Sequence, residues 1–281
     1  MTKVKIVTDS TAYLPPELIT RYGIEVVPLK VLFGPEAYTE GVDISNEEFY
    51  RKLAKASTLP TTSQPSIGDF VQVYDKAARE AAAILSIHIS GKLSATINSA
   101  LNAKDELPQV QIEVVDSLCS CMGMGMIVLA AARAAEEGQA LSQIRASTEK
   151  LIKNMHLFFV VDTLEYLHKG GRIGGAATLL GTALRIKPIL CVKDGQIDAL
   201  ARVRTKRKAV ARMLELVEER VQRGAAVHVA VFHAQAVEEA LALQQEVRAR
   251  FDCAEMHLSE IGACIGTHVG PGAVGLAFYT D

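Results

Sequence analysis

Four hydroxyl side chains, Thr61, Thr62, Ser63 and Ser66, crowd the segment LPTTSQPS (59–66), with no histidine or acid among them. Hydroxyls gathered without a base can donate to an anion or cap a helix, but nothing beside them could activate a nucleophile. Ser66 stands three residues ahead of Asp69 at the head of a periodic run, the spacing of a helix N-cap. Thr61, Thr62 and Ser63 lie upstream of that cap, where their hydroxyls are free to face a ligand. A second hydroxyl cluster, SGKLSATINS (90–99), follows a strand-like run and a glycine, which puts Ser94 near a helix N-terminus. The unpaired N–H groups and positive dipole end there suit a phosphate or a carboxylate, and Ser94 can equally be a simple cap. The spacing is not that of a Walker A loop, since Ser86 stands where the first glycine belongs and Leu93 where the hydroxyl belongs. No G-x-G-x-x-G dinucleotide pattern follows a strand either.

His268 precedes Gly270, Pro271 and Gly272 in GTHVGPG (266–272), which places it beside a tight turn rather than in a regular element. Just upstream, GACIG (262–266) has the pattern of a nucleophile elbow with Cys264 in the serine position. A hydrolase built on Cys264 or Ser94 with His268 is the enzymatic alternative; the Pro-Gly turn that follows, in place of a long helix, counts against it. Cys119 and Cys121 form C-x-C at the head of an apolar run and read as small buried thiols. The histidines show no H-x-x-x-H or H-E-x-x-H spacing, so no metal site is expected. Arg202 and Arg204 open a basic run, RVRTKRKAVAR (202–212), that reads as a solvated face or as a dock for an acidic partner. It holds no aromatic on which bases could stack, which argues against nucleic acid.

The elements that must position these groups alternate between strand-like and helix-like runs, an α/β pattern. Strands are expected at 4–9, 24–33, 83–90 and 110–117, with helices between them and two helical stretches over 118–154. In the second half, 157–163 reads as a buried strand and HKGGRIGG (168–175) as a glycine-rich turn leading to a helix. A hairpin turning at Asp194-Gly195 follows, and strands at 226–233 and 254–261 alternate with helices. A hairpin among β-α units implies a mixed or antiparallel sheet in that half. Two closely packed lobes are expected. The 281 residues carry a net charge of -2, so no global charge draws the chain to nucleic acid or to a membrane surface. The longest apolar stretch, 122–132, is too short to span a bilayer, and the start shows no signal-peptide apolar region. With five cysteines read as reduced thiols, the expected location is the cytoplasm.

Seven segments in order resemble the DegV family, the fatty-acid-binding FakB proteins of bacterial fatty acid kinase systems. They are KIVTDSTAYLP (5–15), TTSQPS (61–66), ISGKLSATINSA (89–100), VVDSLCSCMGMG (114–125), KGGRIGG (169–175), KPIL with DGQI and RVRT (187–205), and IGTHVGPGAVGLAF (265–278). The resemblance covers 3–280 and implies an N-terminal Rossmann-like lobe (3–155) with a mostly parallel sheet. A C-terminal lobe (156–280) with a mixed or antiparallel sheet completes it. Between the lobes it implies a buried long-chain fatty acid such as palmitate, stearate or oleate, with no cofactor. The carboxylate would face a separate fatty acid kinase subunit that phosphorylates it from ATP and feeds phospholipid synthesis, while this chain performs no chemistry itself. By the same resemblance Thr62 and Ser94 bind the carboxylate, with Thr61 and Ser63 beside them and His268 close by, directly or through water. Arg172, Arg202 and Arg204 are implied as kinase-docking residues, and a transient membrane contact as the route of loading. The chain departs from the family at Cys119, Cys121 and Cys264, which stand at positions of small residues; the carboxylate groups are unaffected.

Overall fold

The run VKIVTD forms β1 (Val4–Asp9), a strand buried along its whole length, as strands are when both sheet faces are covered. The structure, a computed structural model, describes residues 3–181 and 186–280. In chain order β1 is followed by α1 (Pro16–Tyr22), β2 (Glu25–Val27), β3 (Lys30–Phe33), β4 (Glu36–Thr39) and α2 (Asn46–Leu53). Next come β5 (Thr61–Ser63), α3 (Ile67–Glu80), β6 (Ala83–His88), α4 (Thr96–Asp105) and β7 (Gln111–Asp116). Helices α5 (Cys121–Glu136) and α6 (Leu141–Asn154) lead into the second half. There follow β8 (His156–Val160), α7 (Glu165–Lys169), β9 (Lys187–Lys193), β10 (Gln196–Val203), α8 (Lys206–Glu218) and β11 (Val227–His233). The chain closes with α9 (Val237–Arg250), β12 (Cys253–Glu260), α10 (Ala263–Val269) and β13 (Val274–Thr280).

The first half holds a parallel sheet in the order β2-β1-β6-β7, the second a mixed sheet in the order β10-β9-β8-β13-β11-β12. Among the described residues only β11 and β12 run parallel in the second sheet. The expected hairpin is present: Asp194 (φ 49) and Gly195 (φ 81) both take left-handed backbone, as a two-residue primed turn requires. Ser66 caps α3 with a full capping box against Asp69.

Four expectations are corrected. The single strand at 24–33 breaks at Pro28, which has no N–H to donate. Glu25–Val27 pairs with β1, whereas Lys30–Phe33 turns away into a separate antiparallel sheet, β4-β3-β5. The hydroxyl segment is therefore a short strand, β5, with Thr62 opposite Val31. The apolar helix begins at Cys121 rather than 118, because Leu118 (φ 47) and Cys121 (φ 49) are left-handed. The glycine-rich turn follows the short helix α7 and continues as a 3-10 turn, Gly174–Leu179.

α5 is the spacer between the two large sheets, and residues 121 to 129 are buried without exception. Two glycines allow the approach. A Cβ on Gly123 would lie 3.1 Å from Leu157 in the second sheet, and one on Gly125 would lie 2.7 Å from the Ala12 carbonyl in the first half. One apolar cluster runs from β1 and β6 through α5 to β8, β11 and β13. Two further clusters lie on the outer faces, one with α3 and α4, the other with α8 and α9.

Candidate functional site

A parallel sheet leaves its free loops at the carboxyl ends of its strands, where ligands bind in open α/β folds. Here Thr11 follows β1, Ile89, Leu93 and Ser94 follow β6, and Ser120 and Cys121 follow β7; all line one cavity. Its far wall is the second sheet, with Leu157, Phe159, Val192, Ile197 and Phe232, and its side is α10 with Cys264, Ile265, His268 and Val269. This slot holds ≈ 700 Å³ not filled by atoms, part of it open to solvent, and its lining is mainly apolar.

The apolar lining is interrupted by several polar side chains, among them Thr62, Ser94, Arg172 and His268. Thr62 reaches it because alternate residues of a strand face opposite ways, and its Oγ1 lies 2.9 Å from His268 Nε2. Thr61 and Ser63 point to the other face of β5 and do not line the cavity; Thr61 is exposed and Ser63 donates to the Gln64 carbonyl. Ser94 Oγ accepts from the Thr96 N–H at 3.3 Å, at the start of α4, and lies 2.9 Å from Thr96 Oγ1. It is therefore both a helix-end group and a cavity group.

His268 is not beside the turn but within α10, one residue from its end. Burial, reinforced by the Arg172 charge, pulls its pKa down to about 4, so the ring is neutral near pH 7. Its Nδ1 is buried without a hydrogen-bond partner and packs over Gly170, where a Cβ would come within 2.3 Å. Arg172 itself lines the cavity. Its guanidinium donates to the carbonyls of Leu93 (3.1 Å) and Gly170 (2.8 Å), which ties the Ser94 loop to the glycine-rich turn. A site read from its hydroxyls alone thus also carries a cation. Arg202 and Arg204 are exposed and outside the lining.

The hydrolase arrangement is not formed. The Cys264 thiol is buried, and burial together with the Glu40 carboxylate drives its pKa well up, the opposite of an activated thiolate. His268 spends Nε2 on Thr62, and the hydroxyl of Ser94 is shared with Thr96. Sequence reading missed a different chain: Tyr74 donates to Ser86 (2.9 Å), Ser86 meets His88 Nε2 (2.6 Å), and His88 Nδ1 meets Asp9 (3.0 Å). All four residues are fully buried, so this chain has no access to a substrate. Asp9 works as a bracket, accepting from the N–H groups of Thr11 (3.1 Å) and Ile89 (3.0 Å) on the cavity wall. The spacing Asp9-x-Thr11 after a strand was its one visible signal.

Fold and site together define a class: α/β proteins that hold a mainly apolar cavity between two sheets, with a few hydrogen-bonding side chains in its lining. The profile of the DegV family, described as uncharacterised proteins, matches residues 3–281. This chain belongs to the DegV family. It is 41% identical to a DegV domain-containing protein of Halalkalibacterium halodurans over 282 residues, 100% of each chain. It is 36% identical to protein DegV of Bacillus subtilis, covering 98% of both. Among solved structures, a DegV family protein from Thermus thermophilus, described as fatty-acid-binding, superposes with TM-score 0.95 at 40% identity, covering 99% of this chain and 100% of that one. Bacillus subtilis DegV, also described as a fatty acid binding protein, gives TM-score 0.93 at 35% identity and full coverage of both chains. A stearic acid-binding protein from Eubacterium ventriosum gives 0.90 at 28% identity, covering 99% and 98%.

Proposed function

We propose that this chain binds one long-chain fatty acid, with its tail in the slot and its carboxylate at Thr62, Ser94 and His268. The observation that carries this reading is the cavity itself: a mainly apolar slot between the two sheets whose lining includes the bonded Thr62–His268 pair, Ser94 and Arg172. The fatty-acid-binding relatives support it. Charge-assisted hydrogen bonds contribute about 1.5–3 kcal/mol each, and Arg172 adds an attraction at the same end. The tail contributes more, since about sixteen carbons at ~0.8 kcal/mol per buried CH₂ give on the order of 10 kcal/mol before binding costs.

On this reading the protein is a cytoplasmic carrier, not an enzyme, in a two-lobed frame of residues 3–155 and 156–280. The carboxylate is handed to a separate kinase that forms the acyl phosphate for phospholipid synthesis, with Arg202, Arg204 and the outer part of Arg172 as its dock. Loading involves a transient membrane contact; among the described residues no helix is long and apolar enough to cross a membrane. Mass spectrometry of an organic extract of the purified protein is the direct test. Stoichiometric fatty acid is expected; a protein that stays empty and refuses palmitate, stearate and oleate alike would sink the proposal.

A further inference from the structure

Helix α10 carries His268 near its end but starts after Gly262, which has no side chain to cap it. A helix of 7 residues is far below the ~12–15 needed to persist alone, and its leading N–H groups must find acceptors. Those acceptors come from the opposite end of the chain. Glu40 Oε1 accepts from the N–H of Cys264 at 2.7 Å, and Tyr13 Oη accepts from the N–H of Ile265 at 3.1 Å. The Tyr13 hydroxyl donates onward to the same Glu40 oxygen at 2.9 Å. Glu40 is only 6% exposed and these partners are all neutral; burial raises its pKa, and the hydrogen bonds from Ser10, Cys264 and Tyr13 oppose that rise.

The same cluster also holds the other side of the site. Ser10 Oγ donates to Glu40 Oε2 and accepts from the Leu29 N–H at 3.0 Å, while the Glu40 N–H donates to the Leu29 carbonyl at 2.9 Å. Leu29 leads directly into β3, and β3 pairs Val31 with Thr62. Glu40 is thus bonded to both supports of the His268–Thr62 pair, α10 through Cys264 and β3–β5 through Leu29. The seating is close on the helix side, since a Cβ on Gly262 would come within 2.7 Å of Glu40 Oε1.

We propose that Glu40, with Tyr13 and Ser10, is the positioning group of the ligand-head site: it sets α10 against β5 and so fixes His268 within hydrogen-bond reach of Thr62. This rests on the fatty acid reading above. A hydrogen bond weakens steeply with small displacements, so loosening α10 degrades head-group recognition while the apolar slot keeps its walls.

The test compares Glu40→Ala and Glu40→Gln with the unaltered protein for binding of palmitate and of hexadecanol, which has the same tail without the carboxylate. The imidazole ¹⁵N signals of His268 are followed by NMR in parallel. Glu40→Ala should lose about tenfold or more of the preference for acid over alcohol, the equivalent of one charge-assisted hydrogen bond, with hexadecanol binding little changed. The His268 signals should move, and Glu40→Gln, whose amide oxygen can still accept from Cys264, should restore most of both. Equal losses for the two ligands, or an unchanged preference with unmoved His268 signals, would overturn the proposal. Should Glu40→Ala fail to fold, Tyr13→Phe removes the second acceptor at nearly constant volume and is read the same way. If the unaltered protein binds no fatty acid, the carrier reading fails by itself, and the His268 signals in the variants still decide whether Glu40 positions that ring.

Discussion

At the scale of single residues, the proposed head-group site is a neutral histidine, two hydroxyls and one arginine. Because burial and Arg172 hold His268 near 4 instead of its ordinary 6.5, its effect on stability has a definite sign. Below pH 6.5 the unfolded chain takes up a proton that the folded ring refuses. Stability is therefore full above 6.5 and falls as the pH drops toward 4, by on the order of 3 kcal/mol. Urea unfolding at pH 7 and pH 5 should show about 2 kcal/mol of this drop in the unaltered protein and less in His268→Gln. Ser94→Ala should weaken palmitate binding by about tenfold, the loss of one hydrogen bond to a charged group. Val192→Trp should block the slot and abolish binding of acid and alcohol alike. If Ser94→Ala left the acid-to-alcohol preference intact, Ser94 would not be a head-group contact. The helix-end place of Ser94 was legible in the sequence, since a hydroxyl after a strand-glycine turn announces a helix end, whereas Thr62 and His268 became candidates through the family resemblance. The place of Arg172 was not, because its partners, the carbonyls of Leu93 and Gly170, are set by tertiary packing and leave no pattern.

At the scale of elements, what sequence showed and what it hid divide by range of interaction. The capping box of α3 needs only Ser66 and Asp69 and was visible; Ser66→Ala should cost about 1 kcal/mol in urea unfolding. The primed turn at Asp194-Gly195 is equally local. β5 was hidden because three residues carry no alternation to detect, and the strand exists only through its pairing with β3. α10 was hidden for a related reason. Its cap is Glu40, 224 residues away along the chain, so the glycines around His268 read as a turn. Close packing of α5 yields a sharper expectation. A methyl on Gly125 would press on the Ala12 carbonyl, a backbone atom that cannot rotate away. Gly125→Ala should therefore lower stability by about 1–3 kcal/mol, seen as a lower thermal midpoint.

At the scale of the whole molecule, alternating strand-like and helix-like runs showed an α/β protein and the hairpin among β-α units a mixed sheet in the second half, while the parallel sheet of the first half was implied by the family resemblance. How the halves join was not legible, because an all-apolar run such as 121–129 says that a helix is buried without saying by what. The structure answers that both sheets bury it. Since one core crosses from β1 to β13, unfolding should be a single event: fluorescence, circular dichroism and calorimetry should give one coincident transition. Two separated transitions would show that the lobes stand on their own.

The shared helix also limits how such a chain can be cut or recombined. A fragment ending near 155 would carry α5 with one flank bare, and a fragment starting near 156 would show water the sheet face that α5 normally covers. Each piece would be prone to precipitate, so the two halves are inseparable as expressed units and cannot be exchanged between relatives without carrying the helix and both its seats together.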